Sequence, residues 1–558
     1  MLSDNFIGVS RAFIVLSFLT MTLGKSQDVQ RLRSTQPASQ SQPAVYQDVK
    51  RDSIGTSKKK QPSIKKLRLK KSTKISLLDL PPADTSKILA RICGKTILVD
   101  EFIRRAEYTP RPPYCKGDGG FDKKIILNSL LAEKMMALEA GKENEFMKIQ
   151  SFQRMLQGRK EQLMREVMYY AEGTSKVQLD TSMIRREYQV AGRTYHVEFF
   201  TVSNDSSSSA VKHILDTSAA SFADIYHALT GRDSLPQRDV NWMSRENKEV
   251  CKALFKDRPA VNQVVGPIQV NDESYLFIRV KGWTDHVAAT EKQISDRWND
   301  VKEELTHEQA DEHYDNYIVH LMRGKTLQFE PNTFRKFVEI VAPSYLVLKK
   351  EKEEIVADKA FKRQPQENPE FDDIERNLKA LHDAPLFIID GKVWTVDDAV
   401  KEMERHPLVF RNKNLNKNNF PKQLELALVD MVRDRYLTQE AYDRGFDRYP
   451  TIVHYSGMWQ DAILSIWHEY AYLKSIGITE NGQMELITNY LNPYLDSLRR
   501  KYNDCTEINV SEFNNIKLIR IDMFVQEINV PFPVFVPTFP QLTTHQWLDY
   551  GKSMDAGK

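Results

Sequence analysis

The sequence predicts an α+β fold in which mainly helical lobes flank a small module that mixes strands and helices. A strand, turn and helix pattern occurs twice, and apolar residues recur at helical spacing after each occurrence. Between the two copies lie aromatic and β-branched runs that alternate as half-buried strands do. At 558 residues the chain is too long for one hydrophobic core. We therefore expect several domains.

The repeated pattern runs from Ala90 to Phe102 and again from Leu386 to Ala399. Each copy contains a short strand, a Gly-Lys turn and an acidic helix start. A long amphipathic helix follows each copy, ending near Gly141 in the first and near Gly445 in the second. A pattern that recurs within one chain indicates a supersecondary unit used twice.

The start of the second copy's short helix has a capping-box pattern, because Thr395 is followed three residues later by Asp398. The first copy has Leu98 at the equivalent place and lacks this cap. There, Asp100 and Glu101 mark the helix start by favouring the helix dipole.

The N-terminal region predicts an exported protein. An apolar run from Ala12 to Gly24 follows Arg11, and it is too short to span a bilayer, so residues 1–24 are predicted to be a signal peptide. Residues 25–84 are rich in Ser, Gln, Lys and Pro and predict a disordered basic linker. The basic stretch from Lys58 to Lys74 could contact anionic lipid headgroups, although we favour a solvated tail.

Changes in composition and pattern divide the rest of the chain into six regions. They are a helical first copy (residues 85–190), an α+β module (193–284), a helical extension (285–345), a charged linker (346–384), a helical second copy (385–480) and a C-terminal helix, strand and Pro/Phe-rich tail (481–558).

Cysteine and histidine patterns predict no metal site and no cofactor. The four cysteines include no C-x-x-C pair, so neither a zinc site nor a redox motif is indicated. In an exported chain Cys93 could pair with Cys115, although free or loosely structural thiols are the favoured interpretation. His307 and His313 are spaced too widely for a helical zinc pair, which needs a spacing of four. A net charge of +3 gives no argument for nucleic acid binding.

The region between the copies contains five local landmarks. In chain order, they are a strand from His196 to Phe200, a turn from Asp239 to Trp242, a helix end from Ala253 to Phe255, the stretch from Val265 to Ile268 and a strand from Tyr275 to Val280. Together they resemble a parvulin-like (PpiC-type) peptidyl-prolyl isomerase module. The repeated helical units are similar to the N-terminal chaperone segment of SurA-type periplasmic foldases. Together these resemblances cover roughly two thirds of the chain.

The resemblance implies that isomerase activity is weak or lost. Active parvulins carry one His in the opening strand and one in the closing strand, where this chain has Glu198 and Leu276. A shifted register would place His196 at the first position. The apolar residues that floor the proline pocket fall near Glu246 and Val250. The degenerate pocket positions are therefore Glu198, Trp242, Val250, Phe255 and Leu276.

The resemblance also implies a periplasmic, ATP-independent chaperone that holds unfolded or nascent outer-membrane or secreted proteins. Adaptable methionines on the apolar helix faces and phenylalanines in the tail from Val530 to Pro540 are the candidate client contacts. The tail could itself occupy the site in place of a client. The alternatives are that the apolar faces are plain core, that the module is an active isomerase, or that the chain is a scaffold subunit of an envelope complex. The candidate client contacts are Met135, Met136, Met431, Phe532, Phe535 and Phe539.

Overall fold

The computed structural model describes residues 87–141, 144, 146–242, 246–271, 274–346, 369–412, 414–478, 482–518 and 536–554. Within these ranges the protein has an α+β fold in which long helices accompany three small sheets. The predicted signal peptide at residues 1–24, the predicted basic linker at residues 25–84 and residues 347–368 of the charged linker lie outside the described residues.

The first copy of the repeated unit begins with a tight hairpin. The turn has positive φ angles at Cys93 (41°) and Gly94 (85°). Two consecutive positive φ angles characterise the two-residue turn that matches the twist of paired strands. The elements of this copy are β1 (Ile88–Ile92), β2 (Lys95–Leu98), α1 (Val99–Glu107), α2 (Gly120–Ala140) and α3 (Gln150–Glu172).

The α+β module has one antiparallel sheet with a core on each face. Along the opening strand, Tyr195 and Val197 face one core together with Phe255, whereas Phe200 faces the other core together with Phe222. The elements are α4 (Thr181–Tyr188), β3 (Arg193–Ser203), α5 (Asp205–Thr217), α6 (Phe222–Thr230), β4 (Gln237–Asn241), α7 (Lys248–Cys251), β5 (Val264–Asn271) and β6 (Ser274–Asp285). The strand order is β4-β3-β6-β5.

The turn predicted from Asp239 to Trp242 is wrong for its first three residues, which belong to β4. Val240 is fully buried in this strand. Its neighbours in the strand are polar, so the short segment offers too little alternation to be recognised as a strand.

A long helix leads from the module toward the second copy. Thr290 and Gln293 form a capping box at its start. The elements of this region are α8 (Glu291–Leu321), β7 (Leu327–Phe329), α9 (Pro331–Leu346) and α10 (Pro369–Ala380).

The second copy repeats the hairpin and helices of the first. Its turn also has positive φ angles, at Asp390 (47°) and Gly391 (78°). The predicted capping box of Thr395 and Asp398 is present, whereas Leu98 makes no side-chain cap in the first copy. The elements are β8 (Pro385–Ile389), β9 (Lys392–Thr395), α11 (Val396–Arg405), α12 (Phe420–Asp443) and α13 (Pro450–Ser475).

The C-terminal region ends in an extended segment. Residues 536–549 contain no helix or strand, and we call residues 536–553 the C-terminal strap. The elements of this region are α14 (Gln483–Leu486), α15 (Asn492–Tyr502), β10 (Thr506–Ile508), α16 (Val510–Asn515) and β11 (Lys552–Ser553).

Each hairpin receives a third strand from another part of the chain. In the second copy β7 pairs antiparallel with β8, whereas in the first copy β10 pairs antiparallel with β1. The hydrophobic core of the first copy therefore contains Leu89 and Ile92 together with Leu495, Ile508 and other C-terminal residues. The C-terminal region completes the first copy's core.

The expectation of free or loosely structural thiols is wrong for two of the four cysteines. Cys93 and Cys505 form a disulfide with a Cα–Cα distance of 5.0 Å. Cys115, the partner considered from sequence, is buried as a free thiol, and Cys251 is also free. The pairing follows from the sheet, because Cys505 directly precedes β10 and Cys93 directly follows β1.

The two copies exchange their last long helices. Helix α3 of the first copy packs on α11 and α12 of the second, and α13 of the second copy packs on α2 of the first. The two exchanged helices also pack on each other. Gly158 of α3 marks the closest approach, because a Cβ atom at this position would lie 1.8 Å from the carbonyl oxygen of Arg405 at the end of α11. The two copies are therefore interlocked.

Candidate functional site

Glu198, predicted to replace a catalytic histidine, is buried and ion-paired with more exposed basic side chains. Arg279 Nε donates to Glu198 Oε2 at 2.8 Å, and Lys281 Nζ lies 3.3 Å from Glu198 Oε1. Gln237 donates to the same oxygen at 3.1 Å. Burial favours the neutral carboxyl, but the hydrogen bonds and charges of Arg279 and Lys281 outweigh it and lower the pKa of Glu198. Glu198 is therefore an ionised structural partner rather than a free base.

The structure places Glu198 and Leu276 on opposite faces of the sheet. Glu198 is paired across the strands with Arg279, whereas Leu276 is paired with Thr201. Because side chains alternate along a strand, residues 198 and 201 point in opposite directions. The two positions predicted to carry the histidine pair therefore do not meet.

The remaining pocket positions belong to the core on the Leu276 side. Val250 is fully buried and Phe255 is 2% exposed, and both pack in this core, with Trp242 half-buried against it. The alternative first position, His196, lies on the Glu198 side, where its ring contacts Asp239 Oδ1 at 2.7 Å and Thr284 Oγ1 at 2.9 Å. The predicted pocket residues form a packed interior.

The candidate client-binding methionines are also interior residues. Met135 and Met136 are buried in the core of the first copy, and Met431 is buried in the core of the second. Phe539 is buried in the first core, whereas Phe532 and Phe535 lie outside the described residues. The prediction that these methionines line an open cradle is corrected, because the neighbouring side chains of each core cover them.

An extended polypeptide is nevertheless held by this protein, and it is the C-terminal strap. The Asn128 amide of α2 donates to the carbonyl oxygens of His545 (2.9 Å) and Trp547 (2.8 Å). Arg105 donates to the carbonyl oxygen of Thr538 at 3.0 Å. These side chains contact main-chain carbonyl groups, which every residue type offers. Recognition of the strap is thus partly independent of its sequence.

The opposite side of the strap contacts α14 and α15. The Thr543 hydroxyl donates to Asn492 Oδ1 at 2.7 Å, and Gln483 donates to the carbonyl oxygen of Gln541 at 3.0 Å. Leu542 is 3% exposed. Burial and the neighbouring Arg499 guanidinium lower the pKa of His545, which sits in the same groove. We call the space between α2 and α15 that holds the strap the strap groove.

The second copy has an open cleft of about 430 Å³ between its hairpin and helices α11 and α12. Its walls mix charged and aromatic side chains. Arg435 stacks over the Trp394 ring at 4.8 Å, and its Nη1 lies 3.6 Å from Glu402 Oε2. Lys392 and Arg405 also line the cleft.

Hydrogen bonds fix the turn end of this cleft. The Tyr436 hydroxyl donates to Asp390 Oδ2 at 2.6 Å and lowers the pKa of Asp390. Burial and the same bond raise the pKa of Tyr436 to about 12. Asp390 and Tyr436 therefore stay charged and neutral, respectively, across the physiological range, and the cleft has a fixed charge pattern.

Among the described residues, no group of three or more His, Cys, Asp or Glu side chains is arranged to hold a metal ion. None of the helices in the described ranges combines the length and apolar character that crossing a membrane requires.

The chain has no match among protein-family models, curated proteins or solved structures. Sequence reasoning missed the strap groove and the cleft. The one sequence feature that points to the strap groove is Asn128, because an amide on an otherwise apolar helix face requires buried hydrogen-bond partners.

Proposed function

We propose that this protein is an exported, ATP-independent chaperone resembling the SurA type, which binds unfolded outer-membrane or secreted proteins. In this proposal the module from residue 193 to residue 284 is parvulin-like but has little or no isomerase activity. The observation that carries the proposal is the strap groove, where side chains of α1, α2 and the C-terminal region hold an extended polypeptide by its carbonyl groups.

The arrangement of Glu198 and Leu276 supports the loss of catalysis. Isomerisation requires the twisted amide to bind better than the planar one, against a barrier of roughly 18–20 kcal/mol. The negative charge of Glu198 is compensated by Arg279 and Lys281, and Leu276 lies on the other face of the sheet. No pair of polar groups at these two positions can act on one prolyl ring.

The disulfide between Cys93 and Cys505 supports export. Disulfides persist in oxidising compartments such as the periplasm and are rare in the cytosol. A periplasmic location is therefore part of the proposal.

A second candidate is a scaffold subunit of an envelope complex. The burial of Met135, Met136 and Met431 favours it, because interlocked copies with covered methionine faces present less adaptable surface to clients. This candidate predicts one stoichiometric partner and no effect on aggregation.

An aggregation assay tests the proposal. An unfolded β-barrel protein is diluted from denaturant in the presence of the purified full chain, and light scattering is followed. The proposal predicts reduced scattering near equimolar ratio without nucleotide. Unchanged scattering, together with recovery of a single stoichiometric partner, would instead support the scaffold. In a parallel proline-peptide assay, acceleration at the level of ordinary parvulins would contradict the loss of catalysis.

A further inference from the structure

Lys95 and Lys392 occupy equivalent places in the two copies. Each is the first residue after the glycine of a two-residue hairpin turn, and each pairs with the last residue of the preceding strand, Ile92 or Ile389. The two lysines therefore leave their hairpins at the same position.

In the first copy the lysine contacts a carboxylate supplied by the exchanged helix. Lys95 Nζ lies 2.5 Å from Asp461 Oδ1 of α13, and Asp461 Oδ2 lies 3.2 Å from Lys134. These contacts join the first hairpin and α2 to α13.

In the second copy the equivalent carboxylate, Glu161, binds other residues than the lysine. Asp461 and Glu161 lie the same distance along the chain beyond Phe446 and Phe146, which begin equivalent short turns. Glu161 accepts hydrogen bonds from Arg405 and from the Tyr442 hydroxyl, the latter at 3.1 Å. It makes no contact with Lys392.

Lys392 therefore faces the open cleft without an acidic partner among the residues that the structure describes. The cleft's other wall is the Trp394 ring with Arg435 stacked on it. Arg435 is already close to Glu402, and Arg405 is paired with Glu161. The unmatched charge in the cleft is the ammonium group of Lys392.

We propose that this cleft binds a carboxylate carried beside an aromatic or apolar group, with Lys392 as the partner of the carboxylate. The internal repeat supplies the argument, because the equivalent lysine already binds a carboxylate in the first copy. This inference rests on the proposed function in assigning the carboxylate to a polypeptide, as a chain end or an acidic side chain.

A pair of labelled peptides tests the inference on the full chain. Both have the same short sequence ending in Phe, one with a free C-terminal carboxylate and one with an amide. We expect the acid to bind roughly fivefold more tightly than the amide, as a partly exposed ion pair gives. In Lys392→Gln this preference disappears, whereas in Lys417→Gln, which changes an exposed lysine away from the cleft, it persists.

Equal binding of acid and amide, or an equal loss in both variants, would overturn the inference. Phenylacetate serves as a competitor without a peptide. Competition at the concentration where the peptide acid binds would reject the assignment to a polypeptide, and its failure to compete supports that assignment. Aggregation suppression by the wild type keeps the two proposals separate. A wild type that suppresses aggregation but binds acid and amide equally contradicts only the cleft, whereas a wild type that prefers the acid but does not suppress aggregation contradicts only the chaperone proposal.

Discussion

The interlocking of the two copies makes a specific prediction at Gly158. In Gly158→Ala the new Cβ atom would meet the carbonyl oxygen of Arg405 at 1.8 Å. Real Cβ contacts are no shorter than 3.0 Å, so α3 and α11 must separate by on the order of 1 Å. The obstacle is main chain, which cannot rotate aside as a side chain could.

The expected change in the free energy of unfolding of Gly158→Ala is the sum of two opposing effects. Overpacking that forces a backbone shift costs typically 1–3 kcal/mol, and the ion pairs Arg405–Glu161 and Arg154–Glu404 across the same contact weaken with it. Alanine in place of glycine within a helix stabilises the folded state by up to about 1 kcal/mol. We expect a net loss of about 2 kcal/mol in the free energy of unfolding.

Gly457→Ala is the matched control for this measurement. Gly457 also lies within an exchanged helix, α13, but nothing lies within 4 Å of the Cβ position there. This variant should gain up to about 1 kcal/mol. Denaturant unfolding followed by circular dichroism compares both variants with the wild type. A Gly158→Ala protein as stable as Gly457→Ala would refute the close approach of α3 and α11.

Three further predictions concern the disulfide, the cores and the ion pair. Replacing Cys93 and Cys505 together by Ser should lower the free energy of unfolding by about 2–5 kcal/mol and abolish the effect of reductant on denaturant midpoints; a wild type insensitive to reductant would contradict this. Met136→Ala and Met431→Ala should each cost about 2–5 kcal/mol, because both side chains are buried in cores, and unchanged melting temperatures would mean that the methionines are accessible after all. Glu198→Gln should destabilise the protein at neutral pH, because the folded state lowers the pKa of Glu198 below 4.5 and this stabilisation exists above that pH. The difference should vanish as pH falls further, and a difference that persists in acid, measured by urea unfolding, would exclude the ion pair as its cause.

The features that the sequence predicts correctly are those determined by residues close together in the chain. The two hairpins, the Thr395 capping box and the following helices are set by residues close in sequence, such as the Gly-Lys turns with their positive φ angles. The α+β class follows from the same patterns. These features are visible in sequence because glycine, threonine and apolar spacing act within one or two turns of backbone.

Long-range pairing was not visible in the sequence. An apolar helix face must be buried, but the apolar pattern of α3 does not indicate which copy covers that face. For the same reason the apolar spacing does not show whether Met135 and Met431 face a surface or a core, and both lie in cores. The Cys93–Cys505 bond depends on a strand pairing between the two ends of the described chain.

The candidate sites depend on contacts that no local motif encodes. The strap groove is formed when Asn128, far from the strap in sequence, donates to two of its carbonyl groups. Among the described residues Lys392 has no partner like the one on Lys95, since Glu161 binds Arg405 instead. Only comparison of the two copies in three dimensions identifies this difference.

In the proposed function the chain binds extended polypeptides without isomerising their prolyl bonds. NMR exchange spectroscopy of an unstructured proline-containing peptide, titrated with the full chain, measures both properties in one sample. We expect saturable broadening of the peptide resonances, with the cis–trans exchange rate unchanged from that of the free peptide. Exchange cross-peaks that grow with catalytic amounts of protein, or resonances that stay sharp at excess protein, would contradict it.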